Sequence, residues 1–291
     1  KTFTDIANAI TRPSYNSVKI TDTLSQYVDF AENQPTITVY KDREGDSQSA
    51  ETLTEDEDYI LSGNYKGGGK TITVEFMGTL EEDYRYWVEF NVEPTDEAYY
   101  EYSTSGYGQT TGDEGTDASD NDPATSSGQP GFHSNESAQV KYKVNNSTEQ
   151  TAEYKHPVVQ VDIKTTQQTV VKEWEGTEQD RVEVELTASV TVETEEGEEQ
   201  QNIDSSYCSL LPKIMTVVLS DANEWTYTWN DLPTKYYYKV GNEIKSTDIS
   251  YSVDEPTVPD GYDKQKVVSG DGLTTTITNK EKSGTVKKVW R

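Results

Sequence analysis

Three short stretches decide how the C-terminal half of the chain folds: Val170-Val-Lys-Glu-Trp174, Tyr251-Ser-Val-Asp-Glu255 and Thr275-Thr-Ile-Thr-Asn279. Each has the β-branched and aromatic content of a β-strand, in which successive side chains point to opposite faces. In each stretch that alternation places one polar side chain on the apolar face, namely Lys172, Glu255 and Asn279. An amine, a carboxyl and a carboxamide are therefore predicted to face a protein core.

A buried and unpaired charge costs several kcal/mol, so such groups normally meet a partner or lose their charge. The economical interpretation is that these three side chains meet one another. Two alternatives stay open at this point. The three positions could be unrelated accidents of the pattern, or they could form an ordinary buried Lys–Glu pair with an amide nearby.

Further motifs follow in a fixed order across about 110 residues: Lys172-x-Trp174, Arg181-Val-Glu-Val-Glu-Leu186, Val218-Leu-Ser-Asp-Ala-Asn-Glu-Trp-Thr-Tyr-Thr-Trp229, Gly241-Asn-Glu-Ile-Lys245, Tyr251-x-Val-x-Glu255-x-x-x-Pro-x-Gly-Tyr262 and Ile277-Thr-Asn279. Together they resemble a collagen-adhesin B-type (CnaB) domain, a stalk module of Gram-positive surface proteins and pili. The resemblance implies an immunoglobulin-like β-sandwich. It also implies that Lys172 and Asn279 form an isopeptide cross-link with the help of Glu255.

The residue types suit that chemistry. An amine attacks an amide carbonyl only when it is unprotonated, and burial lowers the pKa of a lysine. A buried carboxyl can stay protonated, donate to the amide oxygen and move protons. Ammonia leaves after a single turnover, so we expect no enzyme activity, no cofactor and no metal.

The N-terminal half contains a second polar residue on an apolar face. In Asn16-Ser-Val-Lys-Ile-Thr-Asp-Thr-Leu24, alternation places Asp22 with the apolar residues and Lys19 on the other face. With Gly131-Phe-His-Ser-Asn-Glu-Ser-Ala138, this strand resembles a collagen-adhesin A-type (CnaA) domain. That resemblance implies that Asp22 assists a bond between an early lysine and Asn135.

Two features depart from the A-type pattern. Asn135 is out of phase with the apolar residues that follow it, and a β-bulge would be needed to reconcile them. The chain offers only Lys1 and the outward-facing Lys19 as early lysines. We therefore expect half of a site, with the partner lysine outside this sequence and no complete cross-link in the first domain.

These features predict an all-β chain of two tandem immunoglobulin-like β-sandwiches, arranged end to end, at 14–165 (CnaA-like) and 166–282 (CnaB-type). Residues 1–13 have helical spacing and are expected to be either a short N-terminal helix that packs on its own domain or the end of a preceding domain. The second alternative rests on a resemblance to the final helix of a von Willebrand factor A (VWA) domain of pilus-tip adhesins. Residues 283–291 repeat the start of the second module, with Lys288 in the place of Lys172, and are expected to begin a following repeat.

Further strands are predicted at 36–40, 71–76, 84–92 and 99–102. The low-complexity stretch 103–129 is expected to be a mobile loop. Its acidic run lacks the glycine and bidentate glutamate of an EF-hand, so a calcium site is not expected.

The extra sequence at 193–215 is interpreted as an excursion from one end of the second sandwich, either a short helix or a binding loop. Its Cys208 is expected to be a buried small hydrophobe.

Composition limits the classes of function. With 25 basic and 53 acidic residues, the net charge of −28 argues against nucleic-acid binding and against anionic membranes. A single cysteine excludes an internal disulfide framework. No transmembrane span or sorting signal is visible in the sequence.

The leading hypothesis is a structural stalk of a secreted adhesin or pilus-tip protein, anchored to the cell wall through other parts and contacting neighbouring domains of the same protein. An alternative is a module that binds a host glycan or matrix protein, through the 193–215 excursion or through four tyrosines, Tyr99, Tyr100, Tyr102 and Tyr107. A hydrolase that uses two paired carboxylates is disfavoured. Pairs of acidic residues arise by chance in so acidic a chain, and no catalytic motif surrounds any of them.

Overall fold

The computed structural model describes residues 14–43, 50–116 and 126–283. The chain divides into two compact units. Unit 1 contains residues up to 98 and 107–161, and unit 2 contains residues 99–106 and those from 162 onward. The predictions for 1–13, for most of 283–291 and for Lys1 and Lys288 lie outside the described residues.

Unit 1 contains thirteen described strands: β1 (Tyr15–Leu24), β2 (Val28–Phe30), β3 (Thr38–Arg43), β4 (Glu51–Thr52), β5 (Tyr59–Asn64), β6 (Thr71–Phe76), β7 (Thr79–Leu80), β8 (Tyr84–Glu89), β9 (Val92–Pro94), β10 (Phe132–His133), β11 (Asn135–Val144), β12 (Gln150–Glu153) and β13 (Val158–Val159). The main sheet has the order β12-β11-β1-β6-β5, with β7 paired to β1. A second layer contains β4-β3-β8, and shorter pairs join β2 to β9 and β10 to β13.

The core of unit 1 lies between the main sheet and the second layer. Val18 and Val74 of the main sheet pack with Val39 of the second layer. Alternation within β6 produces this arrangement, because Ile72, Val74 and Phe76 are buried while the residues between them are more exposed. The predicted strand at 71–76 is confirmed, whereas the one at 36–40 starts later, at residue 38.

The strand predicted at 99–102 is wrong, because these residues belong to helix α1 (Asp96–Ser105). Tyrosine favours strands, but here local capping outweighs that propensity. The Thr95 hydroxyl accepts a hydrogen bond from the Ala98 backbone N–H at 3.3 Å, and acidic Asp96 lies in the first turn, where it complements the helix dipole. Gly106 follows the helix with a φ of 67°, the left-handed conformation that glycine tolerates at a helix end.

The stretch 103–129 is not a uniform loop over its described part. Residues 103–105 are helical, and isolated bridges join Thr111 to Pro130 and Gly112 to Ser127. The Asp113 carboxylate contacts His156 Nδ1 at 3.0 Å. Low complexity in this sequence therefore coexists with specific backbone and side-chain contacts.

Unit 2 contains ten described strands: β14 (Thr165–Glu175), β15 (Val182–Thr194), β16 (Gly197–Ile203), β17 (Thr216–Leu219), β18 (Thr226–Pro233), β19 (Lys235–Val240), β20 (Glu243–Asp248), β21 (Ser250–Asp254), β22 (Tyr262–Val268) and β23 (Thr274–Glu281). One sheet has the order β18-β14-β23-β22, and the other has the order β16-β15-β17 with β21 paired to β15. Strands β19 and β20 form a separate hairpin.

The two sheets of unit 2 pack face to face. Val170 of β14 and Ile277 of β23 share one core cluster with Val184 and Leu186 of β15 and Val253 of β21. All five side chains are at least 99% buried. The predicted all-β fold, with tandem immunoglobulin-like sandwiches, is confirmed. No helix in the described part of the chain is long or apolar enough to cross a membrane.

The extra sequence at 193–215 is neither a helix nor a simple loop over its first half. Strands β15 and β16 form a hairpin that pairs Thr194 with Gly197, so the acidic run belongs mainly to strands and their turn. Residues after 203 return in turns around Cys208, which is fully buried beside Leu211 and Tyr236. Burial raises the pKa of the Cys208 thiol, which disfavours a reactive thiolate and confirms its prediction as a small hydrophobe.

Candidate cross-linking site

Strands β14 and β23 set the spacing of the site in unit 2. They run parallel, with Lys172 opposite Ile277 and Trp174 opposite Asn279. Lys172 and Asn279 are thus on neighbouring strands, offset by two residues and facing the same core. That offset is about 6.6 Å along a strand, which the four-carbon side chain of lysine can span.

The three side chains singled out from the sequence meet in this core. Lys172 Nζ lies 3.1 Å from Glu255 Oε2, and Asn279 Nδ2 donates a hydrogen bond of 2.9 Å to Glu255 Oε1. The side chains of Lys172 and Glu255 have no exposed surface, and Asn279 is also fully buried. The alternative of three unrelated accidents is therefore wrong.

Glu255 directly follows the end of β21, where polar contacts hold the backbone. The Asp254 carboxylate accepts a hydrogen bond of 2.9 Å from the Glu255 backbone N–H. Lys264 Nζ donates to both Asp254 Oδ1 and the Glu255 carbonyl oxygen, each at 2.7 Å. These contacts fix the point from which the Glu255 side chain enters the core.

The environment of Lys172 shifts the protonation equilibrium of its amine toward the neutral form. Burial lowers the pKa of the Lys172 amine, while the adjacent Glu255 carboxylate acts in the opposite direction. Nζ also lies 4.6 Å from the centre of the Trp174 ring and donates to the Ile277 carbonyl oxygen at 3.4 Å. The amine is thus held in place, and the net effect makes it easier to deprotonate than a surface lysine.

Two buried oxygens of the three side chains accept no hydrogen bond among the described residues, namely Asn279 Oδ1 and Glu255 Oε2, and the latter has only its ion-pair contact with Lys172. Asn279 Oδ1 is buried without a hydrogen bond, while Nδ2 of the same carboxamide contacts Glu255. Rotating the carboxamide by half a turn would exchange these atoms and place the carbonyl oxygen beside Glu255. A protonated Glu255 could then donate to that oxygen and polarise the carbonyl.

Asp22 and Asn135 line a common cavity in unit 1. The β1–β11 pairing shifts register between Thr23, opposite Ser137, and Leu24, opposite Asn135. This irregularity is the bulge that the sequence required, and it buries Asn135, which is only 4% exposed. The cavity has a volume of about 460 Å³ and is lined mainly by apolar surface.

One atom of Asp22 and one atom of Asn135 lack a partner among the described residues. Asp22 Oδ1 and Asn135 Nδ2 are each buried without a hydrogen bond. Burial raises the pKa of Asp22 to about 6 from its ordinary value of 3.8. The acceptor and the donor therefore both remain available to a further group.

The lysines of unit 1 occupy different places. Lys19 points away from the core, as predicted, and pairs with the exposed Glu75 at 2.8 Å. Sequence reasoning missed Lys155, which borders the cavity with an exposed side chain. It follows β12 in a segment without regular structure, so no alternation pattern could have indicated it.

The tyrosines considered as a binding surface make internal contacts. The Tyr99 ring stacks on Tyr237 with centroids 5.1 Å apart, and Lys239 lies over the Tyr100 ring at 4.6 Å. The Tyr107 hydroxyl accepts a hydrogen bond from the Val161 backbone N–H at 2.9 Å, and Tyr102 also has a contact within the chain. Packing thus accounts for much of the tyrosine enrichment at these positions.

The model of a family described as a domain of unknown function (DUF7604) matches residues 15–160, half of the chain. The chain belongs to this DUF7604 family. The Cna protein B-type domain matches residues 168–280, which confirms the B-type resemblance of the second half. The A-type resemblance of the first half stays a prediction. No curated protein matches the chain.

Several solved structures of Gram-positive surface proteins are similar to this DUF7604 chain. They include the pilus adhesin SpaC of Lactobacillus rhamnosus GG (16% identity, TM-score 0.39), a single B repeat unit of the collagen-binding surface protein Cna of Staphylococcus aureus (15%, 0.26) and the major pilin SpaD of Corynebacterium diphtheriae (13%, 0.26). The matches cover 91%, 94% and 94% of this chain, and 25%, 100% and 58% of those chains, respectively. The chain thus spans a quarter of the SpaC chain. TM-scores below 0.5 do not establish a shared overall fold.

The Glu255 carboxyl is expected to be required for joining Lys172 to Asn279. The unmodified chain should weigh one ammonia less than its sequence, whereas Glu255→Gln should have the full mass, because nothing then protonates the amide oxygen. The variant should still fold but lose about 4–5 kcal/mol, by analogy with a disulfide that closes a loop of similar length. Intact-mass spectrometry and urea unfolding measure the two effects.

The matched control is Glu173→Gln, which changes the neighbouring acid on the exposed face of β14 and should keep the ammonia loss. If Glu255→Gln also loses ammonia, another group polarises the carbonyl and the assignment of Glu255 is wrong.

Asp22 should make unit 1 less stable as pH rises. A carboxyl whose folded pKa is about 6 and whose unfolded pKa is near 3.8 binds more protons when folded. Its contribution therefore falls between about pH 4 and pH 7, by up to about 3 kcal/mol. Asp22→Asn should remove most of this pH dependence, measured by urea unfolding of the whole chain at the buried Val74 amide resonance.

Asp83→Asn serves as the control, because it removes the same charge at an exposed position. General repulsion in a chain of net charge −28 acts in the same direction as Asp22, so the comparison of the two variants is essential. Equal pH dependence in both variants would mean that Asp22 is solvated.

Proposed function

We propose that this chain is a structural stalk segment of a Gram-positive surface adhesin or pilus-tip protein. In this proposal an autocatalytic isopeptide bond between Lys172 and Asn279 stabilises unit 2. The observation that carries it is the buried contact of Lys172, Glu255 and Asn279 between the first and last strands of the B-type domain. Like pilins and adhesins, the protein is secreted and displayed at the cell wall.

The proposed reaction is a transamidation within the core. The neutral Lys172 amine attacks Cγ of Asn279 while Glu255 donates a hydrogen bond to the amide oxygen. As the Nζ–Cγ bond forms, Glu255 passes its proton to the amide oxygen, and the resulting carboxylate takes a proton from the attacking nitrogen and delivers it to Nδ2 of Asn279. When the carbonyl re-forms, its oxygen returns the proton to Glu255. The Cγ–Nδ2 bond breaks, ammonia leaves and the new Nζ–Cγ amide bond remains, so every atom and proton is accounted for. No second turnover is possible, because both reactants are consumed.

The position of the bond explains why it suits a stalk. Tension applied to the ends of unit 2 enters at β14 and leaves at β23, and the bond would join these two strands directly. Residues 173–278 would then lie in a closed loop that carries no tension. Hydrogen bonds contribute about 1 kcal/mol each and can yield one after another, whereas an amide bond does not.

In unit 1 we propose that Asp22 and Asn135 form half of a comparable site. Their unpaired oxygen and nitrogen atoms and the apolar cavity around them support this proposal. The amine comes from another segment, because Lys19 faces outward and Lys155 is exposed. The described chain should therefore lose one ammonia and not two. A loss of two would mean that a lysine within this chain supplies the amine, and the half-site proposal would then be wrong.

The partners in this proposal are neighbouring domains of the same surface protein. Binding of a host glycan or matrix protein stays the alternative function. Because the candidate tyrosines pack within the chain, no specific observation favours that alternative over the stalk.

Pulling on single molecules tests the stalk function. Unit 2 should show almost no extension below the force that breaks a covalent bond, because residues 173–278 are enclosed. The variant Asn279→Ala should unfold and release about 350 Å of chain, the contour of the freed loop. The control Asn202→Ala, at an exposed position of β16, should behave like the unmodified chain. Extension of the unmodified unit 2 by the full loop would contradict the proposal.

A further inference from the structure

A second cleft of unit 1 has tyrosines from three strands in its lining. They are Tyr15 of β1, Tyr84 and Tyr86 of β8, and Tyr142 of β11. The volume of the cleft is about 190 Å³, which is smaller than typical ligand clefts of roughly 300–1,000 Å³. The cleft therefore suits a small chemical group and not a whole drug-sized ligand.

A β-bulge in β1 brings Tyr15 into this cleft. Tyr15 and Val18 are three residues apart, so strict alternation would place their side chains on opposite faces of the strand. The β1–β11 pairing shifts register between Asn16 and Lys19, and Ser17 between them has a φ of 52°. Because of this bulge, both Tyr15 and Val18 line the cleft. A left-handed conformation is costly for a residue other than glycine, and such conformations are concentrated at functional sites.

The core of unit 1 holds the rings in place. Tyr15, Tyr86 and Tyr142 all pack against the core cluster that contains Val74. The ring centroids of Tyr15 and Tyr142 lie 5.9 Å apart. The Tyr86 hydroxyl accepts a hydrogen bond of 3.2 Å from the Glu81 backbone N–H. The walls of the cleft are thus formed before any ligand arrives, which lowers the entropic cost of binding.

Carboxylates at the rim make the surroundings of the cleft negative. Glu81 and Glu82 line it from the turn between β7 and β8, and both are exposed. Glu81 pairs with Lys41 at 3.4 Å, and Lys41 also contacts Glu51 at 3.6 Å. Glu82 has no partner among the described residues. Three carboxylates therefore accompany one ammonium, and the excess charge beside the cleft is negative.

The tyrosine rings add a second attraction for cations. The face of an aromatic ring is electron-rich and attracts a cation that lies within about 6 Å of the ring centre. The ammonium of Lys41 lies 5.1 Å from the centre of the Tyr84 ring, so the chain already uses this attraction beside the cleft. Lys41 is not among the residues that line the cleft, and it does not fill it.

We infer that this cleft binds the trimethylammonium group of a small organic cation such as choline, with the Glu82 carboxylate as its counter-charge. A quaternary ammonium has no N–H group, so it enters an aromatic cleft without leaving a buried donor unpaired. A lysine ammonium is strongly hydrated and has three donors, which rings and aliphatic side chains cannot satisfy. A phosphate attached close to the cation would be repelled by the carboxylates at the rim.

Titration of the full 291-residue chain with choline chloride tests the inference, with binding followed through the backbone amide resonances. Choline should shift the resonances of residues 80–86 and 140–142 in a saturable way. The uncharged analogue of choline, in which carbon replaces nitrogen, has the same shape and should bind about tenfold more weakly. Ethanolamine, which has a primary ammonium, and phosphocholine, which adds a phosphate, should also bind more weakly than choline.

Variants of the chain separate the rings from the carboxylate. Tyr142→Leu removes one ring but keeps an apolar wall, and it should weaken choline binding about fivefold. Tyr142→Phe keeps the ring and should bind choline like the unmodified chain. Glu82→Gln, at an exposed position that the fold does not depend on, should weaken choline about threefold and leave the uncharged analogue unchanged.

The matched control is Glu89→Gln, which makes the same change of charge at an exposed position of β8 outside the cleft and should leave both ligands unchanged. Four results would each overturn the inference. They are equal binding of choline and its uncharged analogue, phosphocholine binding as tight as that of choline, shifts confined to residues outside the cleft, and no binding of choline. The test does not involve the Lys172–Asn279 bond, so its failure would leave the proposal for unit 2 unaffected.

Discussion

The burial of one lysine between two parallel strands organises unit 2. An amine with no exposed surface is tolerated only where an acid or a reaction compensates it, and Glu255 lies 3.1 Å away. That requirement fixes the register of β14 against β23, because a slip of one residue would turn Lys172 to the outer face. The core residues Val170 and Ile277, which flank the site on the same strands, are held in register with it.

Each unit has an acid and an amide at its candidate site, but only in unit 2 does a described lysine amine contact them. In unit 2 the amine, the acid and the amide are all in contact. In unit 1 the half-buried Asp22 and the buried Asn135 line a cavity, and one atom of each has no partner among the described residues. An acid without a compensating charge is costly to bury, so unit 1 is expected to be the weaker of the two.

The sequence alone was sufficient to find inward-facing polar side chains where the alternation of a strand is strict. Lys172, Glu255 and Asn279 were found because each breaks a period of two on a strand whose other inward residues are apolar. Asn135 was harder to predict, since a bulge interrupts the alternation, and only the resemblance to A-type domains suggested it.

The strand predicted at 99–102 is wrong because two local signals in the sequence conflict. Thr95 and Asp96 favour the start of a helix, whereas the tyrosines that follow favour a strand. The strand propensity of the tyrosines outweighed the capping signal in the prediction, but the structure forms the helix. Lys155 had no pattern to reveal it, because it lies in an irregular segment that only the tertiary fold brings to the cavity.

The most direct test of the account is the covalent connectivity of Lys172. Proteolysis of the purified chain followed by tandem mass spectrometry should yield a branched peptide in which Lys172 Nζ is joined to the side-chain carbonyl of Asn279, with the corresponding linear peptides absent. Recovery of both linear peptides, with a free Lys172 amine and an intact Asn279 carboxamide, would contradict it. The three buried side chains would then be an ordinary ion pair with a neighbouring amide.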